Sequence, residues 1–196
     1  ILERAGPSLR QNARFVQVVI KNQLCHSLIV NSGSSRLAVV RLVLHIIGVL
    51  VVQWKEHLKA EIALFFSDII LSLLEGQRAP VTFRLMVMKV LERICNHPQT
   101  LVDLFVNYDC DLGEKDIFGQ VVNSLATIAK MHVDPAAPLA EFQAMKTSAL
   151  ESLITIMQSL VNWSKELSEH VQEADHDPQR RRSSVASDET SATTLA

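Results

Sequence analysis

Large apolar residues recur every three or four positions along most of this chain, a spacing that predicts amphipathic helices. The repetition is clearest in a helix predicted over residues 54–75, where Lys59 and Asp68 are among the charged residues on the solvent side. The apolar stripe of that helix consists of Trp54, Leu58, Ile62, Phe65, Ile69 and Leu73. The preceding segment, residues 36–52, is apolar on nearly every face, which predicts a buried central helix. Gly48 within it predicts the close approach of another helix.

Turn-forming residues divide this pattern into six or seven helices. Turn-forming residues, mainly Gly, Pro, Asn, Asp and Ser, occur at residues 6–7, 31–35, 76–80, 96–98, 107–113 and 131–138. The scarcity of such residues elsewhere favours an all-α fold. Short connections between amphipathic helices predict an armadillo/HEAT-like array of stacked helices. Because the sequence contains no strict repeat, a globular helical bundle remains the alternative.

The composition changes near residue 170. The last predicted helix starts near Leu139 and runs through Leu167, whereas residues 171–196 hold almost no large apolar side chains and are rich in Ser, Thr, Asp, Glu and Arg. Such a segment buries too little surface to offset the entropy lost on ordering it. We therefore predict a helical domain over residues 1–170 and a disordered tail over residues 171–196.

One stretch, Leu104–Asp111, ends an apolar strip in a dense cluster of polar residues, with no glycine or proline before Gly113. The alternating spacing that opens an EF-hand calcium loop is present at Asn107, Asp109 and Asp111. The pattern then fails, because Leu112 and Phe118 stand where the loop needs glycine and glutamate. The two aspartates also lack a nearby His, Ser or Lys that would complete an acid/base site. The sequence therefore predicts neither a metal site nor a catalytic site here.

Two interpretations of this cluster remain. Asn and Asp side chains accept hydrogen bonds from backbone N–H groups, which suits them to a turn between helices. Asp111–Glu114 resembles a capping box for the next helix, and Asp116 adds a favourable charge near its start. Tyr108 among these residues is more than a cap requires, and polar groups packed between helix ends tend to fix one arrangement. The cluster is thus either a structural lock or a partner-binding site.

Charge and residue types exclude several classes of function. The net charge of −2 argues against a general nucleic-acid binder. The seven histidines are scattered, no hydrolase, phosphate-binding or dinucleotide-binding motif is present, and no cofactor is predicted. His45 lies in the apolar helix and is predicted to be a core histidine. Three cysteines without CxxC spacing predict reduced thiols in a cytosolic protein, namely Cys25, Cys95 and Cys110.

The ends of the chain and its most apolar window bear on location. The window Leu37–Val52 is interrupted by Arg41 and His45 and is shorter than the ~20 residues that cross a bilayer, so a buried helix is predicted. The first residues, Ile1–Arg4, carry neither a methionine nor a signal-peptide pattern. The chain is therefore expected to be a piece of a longer protein.

The polar cluster and the segments around it resemble a known family. Phe105–Asp111, followed by Ile117–Phe118 and Val121–Asn123, closely resembles the HUS box, which marks the "homology upstream" domain of large Arf guanine-nucleotide exchange factors. Further segments are similar to the trans-Golgi, brefeldin-A-inhibited (Sec-seven) members, namely His57–Ile62, Leu91–Cys95 and Val161–Leu167. The resemblance covers about residues 1–170. Gly113 and Gly119 depart from the animal members.

The resemblance implies a regulatory α-helical module without catalytic activity. In such proteins this module packs against an upstream dimerisation and cyclophilin-binding domain and helps govern membrane recruitment and exchange activity. The parent proteins act on Arf-family small GTPases in vesicle traffic, and are cytoplasmic proteins recruited peripherally to the Golgi and trans-Golgi network. The catalytic run Phe-Arg-Leu-Pro-Gly-Glu begins by chance at Phe83–Leu85 but continues Met86–Met88, so its glutamate has no counterpart. Carried over residue by residue, the HUS box is Asn107, Tyr108, Asp109, Cys110 and Asp111.

A generic armadillo-type scaffold that grips a peptide is the competing hypothesis. An exposed apolar face near residues 1–30 would favour the exchange-factor module, whereas a continuous groove lined by Asn and Trp would favour the scaffold.

The predicted tail carries one candidate modification site. Residues 181–185 read Arg-Arg-Ser-Ser-Val, which fits a basophilic kinase site with Ser184 as the acceptor. A phosphate there would change the local charge of a linker.

Overall fold

Helices make up most of the molecule. The computed structural model describes residues 2, 8–76, 79–131 and 139–176, with side chains described as far as Glu169. Within these residues, helical segments that adjoin without a break form seven helices: α1 (Phe15–Cys25 and His26–Ser32), α2 (Leu37–Gln53), α3 (Lys59–Leu64, Phe65–Leu71 and Ser72–Glu75), α4 (Val81–Cys95), α5 (Pro98–Leu104 and Phe105–Asp109), α6 (Ile117–Lys130) and α7 (Leu139–His176). The described residues contain no strand, and the predicted all-α fold is confirmed.

Helices that are not adjacent in sequence pack against each other. α2 lies against α4, α1 against α3, and α3 against α6, while α5 and α6 pack as neighbours. This is the stacked arrangement that the repeated amphipathic pattern predicts, in which each helix buries one stripe against the next pair. The chain divides into two compact units, Ile1–Ser159 and Leu160–Ala196. α7 continues past residue 170, and the rest of the predicted tail, residues 177–196, lies outside the described residues.

The apolar stripe from Trp54 to Leu73, which was predicted to lie on one helix, is divided between two helices. Trp54 is the C-cap residue of α2, and a short 3₁₀ turn, Lys55–His57, separates α2 from α3. Trp54, Leu58 and Phe65 are nevertheless all fully buried. No glycine or proline marks this turn in the sequence, and the turn lets both helices direct their apolar faces into the same core.

The central helix α2 is buried on one side only. A Cβ atom placed on Gly48 would lie 3.4 Å from Cγ1 of Val90, which confirms the predicted close approach of another helix, here α4. Arg41, Leu42 and His45 are exposed, so the prediction that His45 is a core histidine is wrong. An apolar helix is expected to be covered on every face, but these residues of α2 line open grooves beside α1 and α4 and stay exposed. No helix in the described part of the chain is both long and apolar enough to span a bilayer.

Candidate functional site

The polar cluster lies at the end of α5 rather than in a separate turn. The π-helical segment Phe105–Asp109 continues the α-helix that starts at Pro98. The Cys110 N–H donates to the carbonyl oxygen of Phe105, five residues earlier, at 3.1 Å. Single π-type turns of this kind occur frequently at functional sites. The helix therefore ends at Asp109 and contains the first residues of the polar cluster.

Tyr108 joins α5 to the start of α3. Its side chain is only 3% exposed, and its hydroxyl donates a hydrogen bond to the backbone carbonyl of Lys59 at 2.8 Å. Burial raises the pKa of Tyr108 well above its ordinary value, and the charges of Glu114 and Glu61 raise it further. The phenol therefore stays neutral and donates its proton to the hydrogen bond, which connects Tyr108 to Lys59, a residue far from it in sequence.

Asp109 caps α6 from outside that helix. Its carboxylate accepts hydrogen bonds from the N–H groups of Phe118 and Gly119 at 2.8 and 2.7 Å. A Cβ atom on Gly119 would lie 3.2 Å from Oδ1 of Asp109, so the glycine leaves room for the carboxylate. A carboxylate on free N–H groups at a helix start satisfies them and interacts favourably with the helix dipole. Asp109 therefore joins α5 to α6.

The predicted capping box at Asp111–Glu114 is wrong. Asp116 occupies the N-cap position of α6 and makes no capping hydrogen bond with its side chain. Residues 111–116 form a loop, so Asp111 is too far from the helix start to cap it. The Asp111 carboxylate instead accepts a hydrogen bond from the N–H of Gly113 at 3.1 Å, inside the loop.

An ion cluster centred on Lys59 holds this loop to α3. The Lys59 ammonium lies 2.9 Å from the carboxylate of Asp111 and 3.5 Å from that of Glu114. It also lies 6.0 Å from the centroid of the Tyr108 ring. The hydrogen bond between Lys59 and Asp111 raises the pKa of Lys59 and lowers the pKa of Asp111. The Gly113 N–H, which donates to the same carboxylate, lowers the pKa of Asp111 further. The backbone and the side chain of Lys59 thus bind two members of the cluster.

We expect the stabilisation from this ion pair to disappear in acid. Folded Asp111 has a lower pKa than in the unfolded chain, so its contribution is present above the unfolded pKa and is lost as the pH falls through the folded pKa. Lys59→Met should therefore lower the free energy of unfolding at pH 7, and by less at pH 3. Urea denaturation of both proteins at the two pH values measures this difference. If Lys59→Met lowered the free energy of unfolding by the same amount at pH 7 and at pH 3, the ion pair would not stabilise the fold. Both groups are partly exposed, so the effect should also shrink in high salt.

The remaining two residues of the cluster face outward. Asn107 and Cys110 are exposed, and the described contacts give neither side chain a hydrogen bond. Asn107 lines a cleft of about 130 Å³ between the start of α3 and α5. Lys55 crosses this cleft through an ion pair with Asp103 and a 3.3 Å hydrogen bond to Thr100. The cluster thus has an inward set, Tyr108 and Asp109, that holds helices together. Its outward set, Asn107 and Cys110, is available to a partner.

The described residues offer no metal centre. They hold no group of three or more His, Cys, Asp and Glu side chains placed to bind an ion. Backbone N–H groups and Lys59 occupy the carboxylates of Asp109 and Asp111. Burial raises the pKa of the Cys25 and Cys95 thiols to about 12, and neighbouring glutamates raise it too, so both stay protonated. The candidate phosphorylation site Ser184 lies outside the described residues.

Lys59 and Gly119 were missed as members of the site. Lys59 lies in the segment His57–Ile62, one of those that resemble the family, and that segment was the signal available for it. Gly119 gave two signs: it departs from the animal members of the family, and glycine inside a predicted helix is unfavourable without a packing reason.

Known proteins match the part of the chain that contains the polar cluster. The family model described as Sec7-like HUS, Mon2/Sec7/BIG1-like, matches residues 1–117, which include the whole polar cluster. Brefeldin A-inhibited guanine nucleotide-exchange protein 1 of Homo sapiens is 38% identical over 168 residues, covering 85% of this chain and 9% of that protein. Brefeldin A-inhibited guanine nucleotide-exchange protein 3 of Arabidopsis thaliana is 36% identical over 168 residues, covering 83% and 10%. The chain thus spans about a tenth of the length of these relatives.

Proposed function

This chain belongs to the Sec7-like HUS-domain family, and from that premise we propose that it is a non-catalytic regulatory module of a large Arf guanine-nucleotide exchange factor. The module acts in Golgi vesicle traffic, in a cytoplasmic parent that is recruited peripherally to the Golgi and trans-Golgi network. The proposed partner in direct contact is the upstream dimerisation and cyclophilin-binding domain of the same protein, and Arf-family GTPases are engaged through the parent. Nucleotide exchange on an Arf GTPase by this chain alone would contradict the proposal.

The observation that carries the proposal is the inward set of the polar cluster. Tyr108 and Asp109 connect three helices, α3, α5 and α6, through hydrogen bonds to backbone groups. Such bonds fix the positions of the helices without offering the side chains to substrate or cofactor. The cluster thereby shapes the surface that the neighbouring domain reads, and Asn107 and Cys110 are the members available for direct contact.

An exposed apolar groove supports an upstream partner at the N-terminal end. The groove lies between α1 and α2, has a volume of about 460 Å³, and contains Ser27 and Asn31 as its polar members. Its apolar lining includes Leu24, Leu28, Val39, Leu42, Val43 and Ile46. Monomeric proteins rarely leave large contiguous apolar patches open to water. In a stack of helix pairs, the face of the first pair is the one that a preceding pair covers.

We expect Leu42→Glu to weaken binding to the upstream domain by at least about tenfold, which is about 1.4 kcal/mol. Leu42 is 59% exposed in this chain, so a glutamate there remains hydrated in the free protein but is desolvated in the complex. Titration of the labelled upstream domain with the wild-type chain and with the variant measures the change.

Leu167→Glu is the matched control, because Leu167 is 51% exposed and lies in α7, far from this groove in sequence. Both variants should keep the wild-type melting temperature, since substitutions at exposed positions have small effects on stability. Unchanged binding by Leu42→Glu would place the upstream domain elsewhere. Equal losses from both variants would mean that the effect is not specific to the groove.

The scaffold alternative has less support. A continuous groove lined by Asn and Trp would favour the scaffold, but of the two tryptophans Trp54 is fully buried in the core, which leaves only the half-buried Trp163 to line such a groove. Exposed Val18, Val19 and Val30 provide instead the apolar N-terminal face expected of the exchange-factor module.

A further inference from the structure

A second groove, between α2 and α4, has a basic rim and an apolar floor. It has a volume of about 500 Å³ and is distinct from the apolar groove between α1 and α2. Leu44, Gly48 and Val90 form its floor, and all three are buried. Its width at the floor is set by Gly48, where α4 comes close to α2. Leu85 and Met86 add half-buried apolar surface along one wall.

Basic side chains stand on both walls of this α2–α4 groove. Arg41 and His45, four residues apart, project from α2, and Lys89 and Arg93, also four apart, project from α4. None of the described residues that line the groove is acidic. The sequence of α2 contains no Asp or Glu, and Glu92 is the one acidic residue of α4. The described lining of the groove is therefore basic, in a chain whose net charge is −2.

The charge of this rim favours an anionic partner. Arg41 on α2 and Lys89 on α4 are both exposed, so an acidic segment in the groove can reach a cation on each wall. A groove lined by one sign of charge attracts a partner of the opposite sign from solution.

We propose that the α2–α4 groove binds an acidic amphipathic peptide segment, which places apolar side chains on the floor and carboxylates against the rim. An apolar face laid into a groove is a recurring mode of peptide recognition. The rim from Thr82 to Arg93 spans about 16 Å of helix, which a helical segment of about 11 residues matches. This site goes beyond the proposed docking of an upstream domain, which uses the other face of α2.

The concave shape favours a peptide over a membrane surface. The apolar residues lie at the bottom of the groove, and the basic groups stand above them at the rim. A flat layer of lipid headgroups would reach Arg41 and Lys89 but not the floor at Leu44. A peptide side chain reaches both levels at once. Binding to anionic lipid alone is accordingly the competing outcome of the test.

The test uses a fluorescein-labelled peptide of about twelve residues, composed of Glu, Leu and Ala with leucines at helical spacing. Its binding to the full chain is followed by fluorescence anisotropy. We expect saturable binding that weakens as salt is raised, and a loss of at least about tenfold in affinity for the double variant Arg41→Glu/Lys89→Glu. The double variant Arg41→Gln/Lys89→Gln should fall between this variant and the wild type. A peptide with Lys in place of Glu should not bind.

The double variant Lys115→Glu/Lys130→Glu is the charge-matched control, because both lysines are exposed and neither lines the groove. It should bind the acidic peptide as the wild type does. Peptide binding that is absent, or that is unaffected by both double variants, would overturn the proposal. Binding to vesicles containing phosphatidylserine that depends on Arg41 and Lys89, without any binding of the peptide, would overturn it in favour of a membrane surface. Arg41 and Lys89 are exposed, so helical circular dichroism of the variants should match that of the wild type.

Discussion

Tyr108→Ala should lower the free energy of unfolding by about 3 kcal/mol. The side chain is nearly fully buried between the start of α3 and the end of α5, so its removal leaves a cavity. It also leaves the carbonyl of Lys59 without the hydrogen bond that the phenol donates. Urea denaturation followed by circular dichroism at 222 nm measures the loss.

Tyr108→Phe separates these two contributions. Phenylalanine fills the same space and removes only the hydroxyl, so this variant should lose about 1 kcal/mol. The difference between the two variants then gives the share that comes from packing. A loss below about 1 kcal/mol for Tyr108→Ala would mean that the ring does not hold α3 and α5 together.

The helices and the composition of the core could be predicted from the sequence because they depend on local periodicity. The stripe that contains Leu58, Ile62 and Phe65 is buried as predicted. Its division between two helices could not be predicted, because the 3₁₀ turn at Lys55–His57 carries none of the usual turn residues. Burial of the same side chains is compatible with a continuous helix or with two, and packing among distant elements decides between them.

The location of the candidate site could be predicted, but its internal contacts could not. The resemblance to the HUS box identifies residues 107–111 as the candidate site, and the matching family model covers these residues. A capping box is recognised from neighbouring residues, so the sequence favoured Asp111. The carboxylate that caps α6 belongs to Asp109, which reaches across a loop. Lys59 was missed for the same reason, since it is distant in sequence from Asp111 and Tyr108.

The exposed face of α2 shows a further limit of periodicity. A helix that is apolar all round is predicted to be buried all round. Part of that apolar surface, including Leu42, lines an open groove instead. The hydrophobic pattern indicates which residues avoid water, but it cannot say whether the same chain or a partner covers them.

Asp109→Ala should lower the free energy of unfolding by about 2 kcal/mol and weaken binding to the upstream domain. The substitution leaves the N–H groups of Phe118 and Gly119 without their acceptor at the start of α6. Most of the helical circular dichroism should persist, because the apolar contacts between α5 and α6, such as the edge-on pair of Phe105 and Phe118, are untouched. Asp109→Asn, which retains one acceptor oxygen, should lose less stability than Asp109→Ala.

Asn107→Ala is the control that distinguishes shaping from contact. Asn107 is exposed and holds no helix in place, so its loss should leave stability unchanged. If the cluster shapes the surface that the upstream domain reads, Asp109→Ala weakens binding while Asn107→Ala does not. If the cluster itself touches the partner, Asn107→Ala weakens binding at full stability. Binding that survives Asp109→Ala despite the lost stability would reduce the inward set to a structural lock, because the partner would then be insensitive to the helix positions that Asp109 fixes.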